Sequence, residues 1–147
     1  MVMANPRLLF VYGTLMSTAS GAMGRGPRAR LDKASRIAGR AVAPGYLFDL
    51  GDYPGLVLTR PGTADNSGGQ VFGELRELSE PDKVFRWLDH YEGISVGTEE
   101  TAEYRRVVMN VVRLAEDGSE IPSSAWVYVY AGPLTGARFL PDGIWPD

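Results

Sequence analysis

One amphipathic helix stands among about six strand-forming segments, and that ratio limits the fold more than any other feature of the sequence. Val84, Trp87, Leu88 and Tyr91 recur at i, i+3, i+4 and i+7, which makes one apolar stripe. Ser79 is the expected N-cap, Pro81 and Asp82 suit a first turn, and Gly93 suits the left-handed position that ends a helix. A second, shorter helix is expected over Arg28 to Ser35, in a stretch otherwise read as loop. Strand patterns cover Leu8–Tyr12, Ile37–Leu50 (interrupted at Pro44-Gly45), Leu56–Leu58, Val71–Leu78, Tyr104–Leu114 and Ala125–Tyr130. Pro61 to Gly69 reads as a flexible hairpin tip, and the tail from Leu134 as irregular. A doubly wound sheet needs a helix between successive strands, and one or two helices cannot supply that. The expected class is α+β, a small mixed, strongly curved sheet or barrel of about six strands with one or two helices. We expect one domain over residues 1–147, with its core over about 8–130.

Composition narrows the chemistry. The chain has no cysteine and one histidine, His90. Disulfides, thiolate zinc sites and a cysteine nucleophile are therefore excluded, and so is a two-histidine metal site. A Ser-His-Asp triad would have to use His90, and no nucleophile elbow accompanies it. The formal charge of −3 argues against a nucleic-acid partner, which would need many Lys and Arg contacts to phosphate. Arg25 to Arg40 is locally basic; it reads as a solvated face or as an anion or membrane-surface site. The apolar run Leu8–Tyr12 is too short for a signal-peptide core or a membrane span. The expected location is cytoplasmic, with no membrane partner.

Three places can carry chemistry. Strand one breaks at a glycine in Val11-Tyr12-Gly13-Thr14-Leu15, which can expose several main-chain N–H groups together. The same break also fits an ordinary strand-to-loop turn. Glu92 follows Leu88-Asp89-His90-Tyr91 at the negative pole of the marked helix. That pole and partial burial beside Tyr91 would both raise its pKa toward the range useful for proton transfer. On spacing alone it is equally a solvated glutamate at a helix end, and Asp89 either shares its site or caps the next loop. Tyr104, Trp126, Tyr128 and Tyr130 form an aromatic set that can line a pocket or fill a core.

Six blocks in order resemble the gamma-glutamylcyclotransferase-like family, over roughly residues 8 to 130. They are Val11–Leu15, Gly45–Val57, Val71–Leu75, Leu88–Gly93, Tyr104–Arg106 and Ala125–Tyr130. The likeness is nearest to the compact branch that includes gamma-glutamylamine cyclotransferases. It implies a small mixed barrel that uses no metal and no cofactor, with Glu92 as the catalytic acid/base. It also implies that Tyr12, Gly13, Thr14 and Leu15 line the substrate site, to which the aromatic set adds Tyr128. The implied partner is a small-molecule γ-glutamyl substrate, cyclised to 5-oxoproline with release of its amine. A non-catalytic module holding a small acidic ligand or peptide end in the same pocket is the alternative.

Overall fold

Five strands close on themselves. The computed structural model describes residues 6–17, 19, 22, 24–58, 69–94 and 102–146. Positions 61–68 of the expected hairpin tip lie outside the described residues. In chain order the elements are β1 (Leu8–Val11), α1 (Arg25–Ala34), β2 (Ser35–Pro44), β3 (Tyr46–Asp49), β4 (Pro54–Val57) and β5 (Gln70–Leu78). Then come α2 (Pro81–Tyr91), β6 (Tyr104–Leu114), β7 (Glu120–Tyr130) and β8 (Arg138–Leu140). The barrel runs β1-β5-β2-β6-β7, and a second sheet runs β4-β3-β8. Closure comes from a parallel pairing of β1 with β7, Leu9 opposite Trp126 and Phe10 opposite Val127. The other barrel pairings are antiparallel, so the barrel is mixed. The expected class, an α+β barrel with one or two helices, is the fold that forms; the described residues hold two helices and eight strands where about six strands were expected.

The alternation of the strands serves two apolar clusters. Phe10, Ala41, Ala43, Val71, Leu75, Val111, Ala125, Val127 and Val129 point one way and pack together. Leu9, Val11, Leu78 and Tyr128 take the opposite phase and pack with Leu31 of α1 and with Val84, Phe85 and Leu88 of α2. Both faces of β1, β5 and β7 are thus covered, one by the barrel's own interior and the other by the helices. Small residues at 41, 43, 73 and 125 fit the narrow interior of a five-stranded barrel. A Cβ at Gly73 would meet the Val11 carbonyl and lie 2.7 Å from the Phe10 ring. Gly73→Ala should therefore lose about 1–3 kcal/mol through overpacking against main chain, read as a lower denaturation midpoint at unchanged m-value.

Several local expectations change. Ser79 does not cap α2: the N-cap is Glu80, with no side-chain cap, and the Ser79 hydroxyl donates instead to the Ala34 carbonyl at 2.9 Å. The buried stripe of α2 is Val84, Phe85 and Leu88, while Tyr91 is 43% exposed. Phe85 turns inward because its ring meets Trp126 edge-on at 5.6 Å. Helix α1 begins at Arg25, three residues before the expected start, with Gly24 as a left-handed N-cap. The tail is not wholly irregular, since Leu47–Asp49 of β3 pair with Arg138–Leu140.

Candidate active site

The chain leaves β1 through Tyr12 into a tight turn in which the Met16 N–H donates to the Gly13 carbonyl at 3.0 Å. Gly13 is required there for room. A Cβ would collide with the Pro54 ring, whose Cδ lies at 2.8 Å. Two neighbours hold the turn. Arg28 of α1 donates to the Thr14 carbonyl at 2.8 Å. Glu74 of β5 accepts from the Ser17 N–H at 3.0 Å and from its hydroxyl at 2.5 Å. Among the described residues, none accepts from the main-chain N–H of Gly13, Thr14 or Leu15. The three residues line a cavity of about 390 Å³.

Glu92 lines the same cavity from the end of α2. Its own N–H closes the helix on the Leu88 carbonyl at 2.9 Å. Gly93 then takes φ 83° and donates to His90, which turns the chain away from the helix axis. The Glu92 side chain lies at the helix end. Burial, and secondarily the nearby Asp89 carboxylate, push its pKa up to about 7. Thr14 of the turn and Tyr91 at the end of α2 both line the cavity beside Glu92.

Tyrosines supply further polar atoms of the cavity. The Tyr12 hydroxyl donates to the Tyr128 carbonyl at 2.6 Å and accepts from the Leu56 N–H at 3.2 Å. The Tyr104 hydroxyl donates to the Pro54 carbonyl at 2.8 Å. The Tyr128 hydroxyl donates to Asp89 Oδ1 at 2.6 Å. Asp89 is in turn held bidentately by Arg106, at 2.8 and 3.1 Å. The Arg106 guanidinium lies over two rings, 3.9 Å from the Phe85 centroid and 4.3 Å from that of Trp126. Burial raises the pKa of Tyr12, Tyr104 and Tyr128, so all three are neutral phenols.

The fold brings Tyr12, Gly13, Thr14, Leu15, Glu92 and Tyr128 around one cavity. Tyr104 joins them, whereas Trp126 and Tyr130 of the aromatic set do not: the Trp126 indole donates to the Pro6 carbonyl and the Tyr130 hydroxyl to Pro133. Asp89 neither lines the cavity nor caps the loop through its side chain; it bonds Tyr128 and Arg106. His90 is exposed and does not line the cavity. In the basic stretch, Arg28 is buried on the Thr14 carbonyl, Arg30 lies over the Trp87 ring at 4.5 Å and Arg36 pairs with Glu77 at 2.6 Å. Tyr53, Pro54 and Glu103 also line the cavity. Nothing in the sequence marks the last two as site residues, because each belongs to a turn or strand end remote from the others. Among the described residues no group of three or more His, Asp or Glu side chains lies close enough to hold a metal ion, and no helix is long and apolar enough to cross a membrane.

Comparison with known proteins agrees with this architecture. An AIG2-like protein from Mus musculus superimposes with a TM-score of 0.62 at 19% identity, covering 96% of this chain and 95% of that one. YtfP from Escherichia coli gives 0.55 at 24% identity, covering 95% and 96%. YkqA from Bacillus subtilis gives 0.61 at 22% identity over 95% of this chain, which spans only 39% of that longer protein. At these identities the likeness is one of fold. No curated protein matches the sequence. The model of the family described as "Gamma-glutamyl cyclotransferase, AIG2-like" matches residues 9–147, nearly the whole chain, and the protein therefore belongs to that family.

Proposed function

We propose that the protein is a cyclotransferase that converts a γ-glutamyl amine or amino acid to 5-oxoproline and free amine, with Glu92 as the proton carrier. The observation that carries this is the Glu92 carboxyl group, its pKa raised by burial, lining the same cavity as Gly13, Thr14 and Leu15, whose main-chain N–H groups have no described acceptor. In this reaction the substrate's α-nitrogen attacks its own γ-carbonyl carbon. The new C–N bond closes a five-membered lactam and the bond to the departing amine breaks. Overall the α-ammonium loses two protons and the leaving nitrogen gains two. A carboxyl group alternating between base and acid balances that exchange, and it does so best when its pKa lies near the working pH. The Gly13, Thr14 and Leu15 N–H groups can stabilise the substrate carboxylate or the oxyanion that develops on the γ-carbonyl. Because the nucleophile is part of the substrate, holding it folded supplies much of the rate; effective molarities of well-oriented intramolecular reactions reach roughly 10⁵–10⁸ M.

The direct test is 5-oxoproline release from a panel of γ-glutamyl amines, peptides and ε-linked lysine isopeptides. Tight binding of such compounds with no release by the wild type would favour a binding module. The pH dependence gives a sharper expectation. The base form of Glu92 accumulates as pH rises through about 7, so kcat/KM should climb across that value and then level. Asp89→Asn removes the like charge and should move the inflection to lower pH. An inflection fixed at the ordinary glutamate value in both proteins would remove Glu92 from the role.

A further inference from the structure

We propose that the cavity sorts hydrogen-bonding groups by wall, and that the Asp89–Arg106 pair, acting through Tyr128, makes one wall an acceptor surface for the α-ammonium of the γ-glutamyl head. The proposal rests on the cyclotransferase reading and deepens it.

A phenol owns one hydrogen. On this wall every such hydrogen is spent on the protein: Tyr12 on the Tyr128 carbonyl, Tyr104 on the Pro54 carbonyl, Tyr128 on Asp89. The Tyr12 oxygen also receives the Leu56 N–H, which leaves it little further capacity. Tyr104 and Tyr128 therefore offer a ligand lone pairs only, and Glu92 in its base form adds two more acceptor oxygens. The Gly13–Leu15 turn presents the reverse, N–H groups with no described acceptor. A ligand that satisfies both needs a compact cation and an acceptor group a few bonds apart, which is the layout of an amino-acid head. A des-amino or N-acylated head would leave the acceptor wall unsatisfied.

Asp89 fixes this polarity. Asp89, clasped bidentately by Arg106, accepts the Tyr128 hydrogen and holds it in one direction. The three partners come from α2, β6 and β7, and the rings of Phe85 and Trp126 keep Arg106 in place. Asp89 and Arg106 are thus positioning residues, and Tyr128 is the group that would touch the ligand.

Binding of γ-L-glutamyl ethylamide and of its des-amino counterpart, N-ethylglutaramate, to the Glu92→Gln protein tests this by calorimetry at pH 7. The amine-bearing compound should bind more tightly by roughly tenfold or more, the value of a hydrogen bond to a charged group. Adding Tyr128→Phe should erase most of that preference while leaving the des-amino affinity unchanged. Asp89→Asn should reduce it too, and should change nothing further when combined with Tyr128→Phe. Equal weakening of both compounds by Tyr128→Phe, an untouched preference, or full additivity of the two substitutions would each overturn the proposal. Failure of the Glu92→Gln protein to bind either compound is a separate outcome, and it would overturn the cyclotransferase reading together with this one.

Discussion

Glu92→Gln is expected to fold, to lose roughly 10²–10⁴-fold in kcat, and to be more stable than the wild type at alkaline pH. The upper end of that loss is expected, because in the proposed reaction one carboxyl group serves both proton transfers. The stability gain follows from the same physical fact. The folded protein holds the Glu92 proton up to about pH 7, whereas an unfolded chain releases it near 4.5. Between those values the native state binds more protons than the unfolded state, so stability falls as pH rises. Above pH 7 the ionised carboxylate costs up to about 3 kcal/mol, less whatever water entering the cavity recovers. Glutamine has the same shape and no charge, so it removes this cost. Below the unfolded value the two proteins should be equally stable on this account. Denaturation series at pH 4 and pH 8, run beside 5-oxoproline assays, read both effects. Full activity in the variant would sink the catalytic assignment. A stability difference of the same size at both pH values would show that the group is not held in its protonated form by the fold.

Arg76→Met should destabilise the protein by about 3–5 kcal/mol, a large part of the 5–15 kcal/mol typical of folded domains. Arg76 is 2% exposed, and it donates to Glu74 at 3.1 Å, to Asp32 at 2.7 Å and to the Ser35 hydroxyl at 3.1 Å. The inner partner decides the outcome. Asp32 can turn to water, but the Glu74 side chain is only 10% exposed and would keep its charge without a counter-ion. Removing that charge as well, in Glu74→Gln with Arg76→Met, should recover much of the loss. Glu74 also grips Ser17 at the end of the Gly13–Leu15 turn. The single variant, where it still folds, should thus show a raised KM as the turn loosens. A single variant as stable as wild type would mean that the buried pair contributes nothing net.

Much of this architecture was legible because strands announce themselves by alternation and by the glycines and prolines that end them. β5 and β7 follow that pattern, and Gly45, at φ 145°, marks where the chain passes from β2 in the barrel to β3 in the other sheet. Glu92 and the turn after β1 were visible only as members of ordered blocks, since either one alone is an ordinary sequence. The start of α1 was hidden because Gly24, Gly26 and Pro27 look like breakers. Gly24 is in fact the cap, and Pro27 falls in the first turn, where its missing N–H costs little. β8 is three residues long and carries no pattern of its own; it exists because β3 offers it an edge. The link from Asp89 to Arg106 and Tyr128 joins three elements, and no periodicity within one element can reveal it.

The bonds made by the Tyr12 oxygen join the two sheets. One reaches the β7 backbone of the barrel and the other the β4 backbone of the smaller sheet, both beneath the cavity. Spreading the sheets would break the bond to Leu56 in an apolar setting, which holds the depth of the chamber. In the proposed reaction, room for different leaving amines then falls to the rim, where the half-exposed Tyr53 and Tyr91 sit. A larger guest would have to be accommodated at that rim, because the chamber beneath it is pinned.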